Sequence, residues 1–155
     1  MRTRLFFALG AVLAPAVAAA QLPVEVHRNQ PELLTNADAT LAANKKLVFE
    51  FWREVLQAHH IERVAKYVAE GYVEHDPTGS ATFIERARQL SAAPTKDTID
   101  DLVTIVAERD LVVLAFRVTL PDLEHEGQTY TTTGFDMFRV TEGKIVEHWT
   151  SGTTD

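Results

Sequence analysis

Gly134-Phe135-Asp136-Met137-Phe138-Arg139-Val140, followed by Thr141-Glu142-Gly143-Lys144 and Ile145-Val146-Glu147-His148-Trp149, decides how this chain is read. Two β-rich runs flank four turn-forming residues, and Glu142-Gly143 predicts a two-residue hairpin loop. With that loop, Val140 pairs with Ile145, Phe138 with Glu147 and Asp136 with Trp149. Side chains alternate along a strand, so Asp136, Phe138, Val140, Ile145 and Trp149 share one face. The opposite face then carries Phe135, Met137, Val146 and His148. Arg139 and Glu147 fall on different faces, which excludes a direct pair between them. A carboxylate in so apolar a surface must be paired, lie in a cavity or carry a raised pKa. It is either a satisfied structural group or a functional one.

The meander that precedes this hairpin has the same period. Ile99, Asp101, Val103, Ile105 and Ala107 alternate onto one face, and Val112, Leu114, Phe116, Val118 and Leu120 continue after a turn at Arg109-Asp110. A polar loop from Asp122 to Gln128 leads into the strand that holds Asp136. Upstream the period is helical. Leu47, Val48, Phe51, Trp52, Val55 and Leu56 form one apolar stripe, with Asp38 or Thr40 as its cap. Ile61, Val64, Ala65 and Val68 form a second, short stripe that Gly71 ends. Tyr72 to Pro77 reads as an extended piece running into a turn. Thr82-Phe83-Ile84-Glu85 reads as a capping box for a third helix. Helices followed by a strand meander define an α+β domain, with helices packed on one face of an antiparallel sheet. A ligand pocket belongs between the two layers.

Residues 1–20 have a charged start at Arg2 and Arg4, an apolar run from Leu5 and a small-residue end at Ala18-Ala19-Ala20. These are the three parts of a secretory signal, with cleavage expected after Ala20 and a secreted or periplasmic destination. The run is shorter than the roughly 20 residues of a membrane span and is interrupted by Gly10 and Pro15. Removing the leader leaves 13 basic against 22 acidic residues, a formal charge of −9. That balance argues against nucleic acid and anionic membranes as partners. The chain has no Cys, so packing rather than disulfides must stabilise it. Residues 21–39, with Pro23, Pro31, Asn29 and Asn36, read as an irregular lead-in, and the domain proper runs over 40–155. His59-His60 stands at a helix break with no ligand at metal-binding spacing, so no metal site is expected.

Asn44-Lys45-Lys46-Leu47-Val48 with Phe51-Trp52, Tyr72-Val73-Glu74-His75-Asp76-Pro77, and Phe135 to Val140 with Gly143 to Trp149 resemble, in that order, the SnoaL-like branch of the NTF2-like superfamily. The resemblance covers about Asn44 to Trp149. It implies a cone-shaped α+β barrel in which Asp136 and His75 point into a pocket between sheet and helices. Trp149 would line that pocket, and a homodimer is implied as well. Cyclase members of this branch take a proton from the carbon beside a carbonyl without metal or organic cofactor. Asp136 is then the base and His75 its partner, and Tyr72, Trp52, Phe138 and Tyr130 join Trp149 in meeting the substrate. The developing enolate oxygen needs a donor from His75, Trp149, Tyr72 or Tyr130. The expected substrate is a small apolar or cyclic carbonyl compound; the alternative is a periplasmic domain that binds such a ligand without turnover. Epoxide hydrolysis, also found in the superfamily, needs a second carboxylate, and Thr150 stands where an acid often follows the tryptophan. The bare apolar residues Phe135, Met137 and Val146 point to the homodimer contact.

Overall fold

The computed structural model describes residues 22–75 and 82–150. The expected leader and the expected turn at Pro77 lie outside them. Asp38 caps α2 (Ala39–Phe51), its carboxylate accepting from the backbone N–H groups of Thr40 and Leu41 at 2.7 and 3.2 Å. The apolar stripe continues without a break into a π-helical turn, Trp52–Gln57, closed by the Ala58 N–H on the Arg53 carbonyl. Val48, Phe51 and Val55 are buried against Leu102, Leu114, Phe138 and Ile145 of the sheet. Burial of each such side chain contributes about 1.5–3 kcal/mol, which is why the stripe, not helix propensity, fixes this layer.

The sheet has five strands in the order β1-β5-β4-β3-β2. They are β1 (Val68–Glu74), β2 (Leu102–Glu108), β3 (Leu111–Pro121), β4 (Thr129–Thr141) and β5 (Lys144–Thr150). The architecture is the expected α+β one, with helices on a curved sheet that does not close. β2 to β5 pair antiparallel as the alternation requires, and β3 and β4 keep one unbroken register from Leu111↔Arg139 to Pro121↔Thr129. β1, however, joins β5 in parallel, so the sheet is not wholly antiparallel. Parallel pairing needs a long crossover, and α4 (Thr82–Arg88) with the β2–β4 meander supplies it.

Three further expectations change. The second helical stripe is only a 3₁₀ turn, Ile61–Arg63, and one turn of helix, α3 (Val64–Tyr67). Val68 is already extended, and Gly71, at φ +80°, lies inside β1 rather than behind a helix. One helical turn cannot sustain itself, whereas β1 gains a ladder with β5. In β2 the register shifts between Leu102 and Thr104, so Leu102 and Ile105 are buried where strict alternation pairs Val103 with Ile105. The lead-in is also ordered. α1 (Gln30–Leu33) places the Gln30 amide on both backbone groups of Ile99, at 2.7 and 2.8 Å. Buried Lys45 donates to the carbonyls of Leu33 and Thr35, and its burial lowers its pKa.

Candidate functional site

The β4–β5 hairpin turns as expected at Glu142 and Gly143, with φ +52° and +71°. Both central residues need positive φ in a type I′ turn, which glycine adopts without steric cost. Val140 pairs with Ile145, as predicted. The next pair is Arg139 with Glu147, which leaves Val146 as an extra residue in β5. This β-bulge moves every later partner by one place. Phe138 faces His148 rather than Glu147, and Asp136 faces Thr150 rather than Trp149.

The side chains change faces accordingly. His148, expected outside, is 0% exposed and lies against the helix-side face of the sheet with Asp136. Its Nε2 is 3.0 Å from Asp136 Oδ1, and its Nδ1 is 2.7 Å from Glu74 Oε1. Tyr72 donates its hydroxyl to the other Glu74 oxygen at 2.7 Å. β1 supplies Tyr72 and Glu74 from alternate positions, so both face the same way and meet β5 across the parallel ladder. The result is a chain of four hydrogen-bonded groups, Tyr72–Glu74–His148–Asp136. Burial and the charges of Glu74 and Asp136 push the Tyr72 phenol far above its ordinary value, so it remains a donor. Asp136 is buried, its Oδ1 occupied by His148 and its Oδ2 without a hydrogen bond among the described residues.

Aromatic groups frame this chain. Phe138 stacks on the His148 ring at 4.4 Å, Trp52 meets Phe138 edge-on at 6.3 Å, and Trp52 stacks on Phe116 at 4.3 Å. Of the residues expected to meet a ligand, the fold therefore brings together Asp136, Tyr72, Trp52 and Phe138. It does not bring the others. Tyr130 shares a face of β4 with Asp136 but lies six residues away, about 20 Å along an extended strand, and is exposed.

His75 and Trp149 do not point between the layers. They stack on each other at 5.0 Å on the outer face, where His75 Nε2 reaches Glu147 at 2.7 Å. Alternation along β1 explains His75, since Glu74 faces inward, and the Val146 bulge explains Trp149. The same bulge puts Arg139 and Glu147 together. They form an ion pair, and the Arg139 guanidinium covers the Trp149 ring at 5.1 Å. Sequence reasoning missed Glu74 and His148. The available signal was the need of buried Asp136 for a partner, together with Tyr72 and Glu74 two residues apart on a strand. Among the described residues no group of three or more His, Asp or Glu is arranged to hold a metal ion.

The SnoaL-like domain model matches residues 48–148, and the chain belongs to that family. Several solved structures are similar to this chain, and the first below supports the fold. A candidate polyketide cyclase from Acidithiobacillus ferrooxidans is 24% identical, with a TM-score of 0.51, over 75% of this chain and 89% of that one. A SnoaL-like candidate polyketide cyclase from Jannaschia sp. CCS1 is 17% identical, with a TM-score of 0.49, over 76% and 91%. An epoxide hydrolase from M. tuberculosis is 16% identical, with a TM-score of 0.47, over 70% and 81%. No curated protein matches the sequence.

Proposed function

We propose that this domain catalyses cofactor-free proton transfer on a small apolar or cyclic carbonyl compound, as an aldol-type cyclase or isomerase does. Asp136 takes the proton. The observation that carries this reading is a buried carboxylate beside the rings of Phe138 and Trp52, with one oxygen held by His148 and the other making no hydrogen bond among the described residues. In the step, a C–H bond beside the carbonyl breaks, the proton goes to Asp136, and the electron pair moves onto the carbonyl oxygen. A desolvated carboxylate is a stronger base than one in water. Of the four donors expected from the sequence, Tyr72 is the one that stands with Asp136, and its single hydroxyl proton must leave Glu74 to meet the enolate oxygen. His148 replaces His75 as the partner of the base. Epoxide opening would need water between two carboxylates, and the His148 ring fills that space between Glu74 and Asp136.

The test is solvent-deuterium exchange into a panel of cyclic ketones, followed by NMR, beside mass spectrometry of molecules retained on purification. Deuterium should enter the carbons beside the carbonyl. No exchange across the panel, with a small molecule retained, would replace this reading by the binding domain. That alternative draws on the fact that Asp136 already has a partner, as a structural group does.

Export and self-association complete the proposal. Cleavage after Ala20 should leave Gln21 as the mature amino terminus, and an intact mass that retains Met1 would exclude it. The outer sheet face carries Val113, Phe135, Met137 and Trp149 around a cavity of about 280 Å³. Apolar patches of this kind mark interfaces, and a second copy of the chain is the proposed occupant. Met137→Glu would place an unpaired charge in that contact and should give a monomer by sedimentation. A wild-type chain that sediments as a monomer at every concentration would refute it.

A further inference from the structure

We infer that Glu74 is the positioning residue of this site, holding His148 doubly protonated between two carboxylates so that Asp136 keeps its charge. The inference deepens the proton-transfer reading and rests on it for its consequence, though not for its test. Both ring nitrogens of His148 lie at hydrogen-bond distance from a carboxylate oxygen, 2.7 Å to Glu74 and 3.0 Å to Asp136. Each of those contacts needs one hydrogen, because a bare nitrogen and a bare carboxylate oxygen repel at that distance. A neutral imidazole supplies only one. The three groups together therefore hold two protons.

The second proton belongs on the ring. Imidazole is the strongest base of the three, with ordinary values of about 6.5 against about 4 for carboxyl groups. Charge-assisted bonds on both sides favour the imidazolium further. Among the described residues, the titratable groups that face it are Glu74 and Tyr72 from β1 and Asp136 from β4, while the Phe138 ring covers one face. Tyr72 donates to Glu74 and so keeps that carboxylate oriented.

The consequence for the base follows from charge balance. With Asp136 alone as counter-charge, a cationic ring would neutralise the carboxylate that has to accept the substrate proton. With Glu74 on the far side, the ring is already balanced. Asp136 then presents its unengaged oxygen in a site of single net negative charge. Glu74 does not meet the substrate; it acts through His148.

The experiment is a two-bond proton–nitrogen correlation of the histidine rings in the uniformly ¹⁵N-labelled full chain, without substrate. At about pH 8, well above the ordinary imidazole value of about 6.5, solvent-exposed rings are neutral. His148 should instead show both nitrogens in the protonated range. Glu74→Gln should convert it to a ring with one bare nitrogen. Tyr72→Phe leaves the Glu74 charge in place and should preserve the doubly protonated ring, which separates the Glu74 charge from general damage to the fold. One bare nitrogen in the wild type, or an unchanged ring in Glu74→Gln, overturns the inference. Ketone exchange is read separately, so absence of turnover would fell the proton-transfer reading without altering the ring signal.

Discussion

Asp136→Asn should slow solvent-deuterium exchange into a ketone substrate by about a hundredfold or more, the scale for losing a general base. The amide keeps the shape of the carboxylate but cannot take the proton. Its stability effect is set by His148. An unpaired buried carboxylate would gain from becoming neutral, but Asp136 accepts a bond from the ring. The asparagine carbonyl can still accept that bond, without the charge. A cost of about 1–2 kcal/mol is expected, the difference between a charge-assisted and a neutral hydrogen bond. Exchange followed by NMR and thermal melts of the same variant decide the matter. Undiminished exchange with a lowered melting temperature would make Asp136 a structural group and leave the binding domain standing.

His148→Ala should be the most destabilising single change in the site. It removes a fully buried ring that packs under Phe138, and it leaves Glu74 and Asp136 facing each other across the space. Removing one member of a buried charged group typically costs about 3–5 kcal/mol, and the cavity adds to that. In a domain of this size the melting temperature should fall by about 10 °C or more. His75→Ala is the matched control. It removes a half-exposed ring whose pair with Glu147 lies on the outer face, and surface pairs contribute about 1 kcal/mol or less. Equal melting temperatures for the two variants would contradict the placement of both histidines.

The contrast between those histidines shows what the sequence made legible. Periodicity and turn chemistry located α2, its Asp38 cap, the Glu142-Gly143 turn and the β3–β4 meander, because each follows from local residue preferences. Asp136 and Phe138 fall on the face that alternation predicts because β4 pairs with β3 without irregularity from Thr129 to Arg139. The errors arise where a strand slips in register, between Val68 and Val73 in β1, between Leu102 and Thr104 in β2, and at Val146 in β5. A bulge has no required composition when its residue is not glycine, so Val146 looks like any strand valine. One uncounted residue reverses inside and outside for everything beyond it. That is how His148 and Trp149 were interchanged. His75 was assigned through its place before the proline, and the neighbouring Glu74 was the inward residue. Parallel pairing of β1 was hidden for a different reason, since it joins segments more than seventy residues apart.

Val146 also determines which kinds of change the hairpin can absorb. Exchanging Glu142-Gly143 for another two-residue I′ pair leaves the count from turn to site intact. Deleting Val146 would leave the pairs from Arg139–Glu147 to Asp136–Thr150 in place. Pairing Val146 with Arg139, as a strand without the bulge would, swings the imidazole outward and brings the indole of Trp149 beside Asp136. A polar partner would become an apolar neighbour with no change in the chemistry of any side chain. The site behaves like a reading frame: it tolerates spelling changes near the hairpin tip far better than a slip of register.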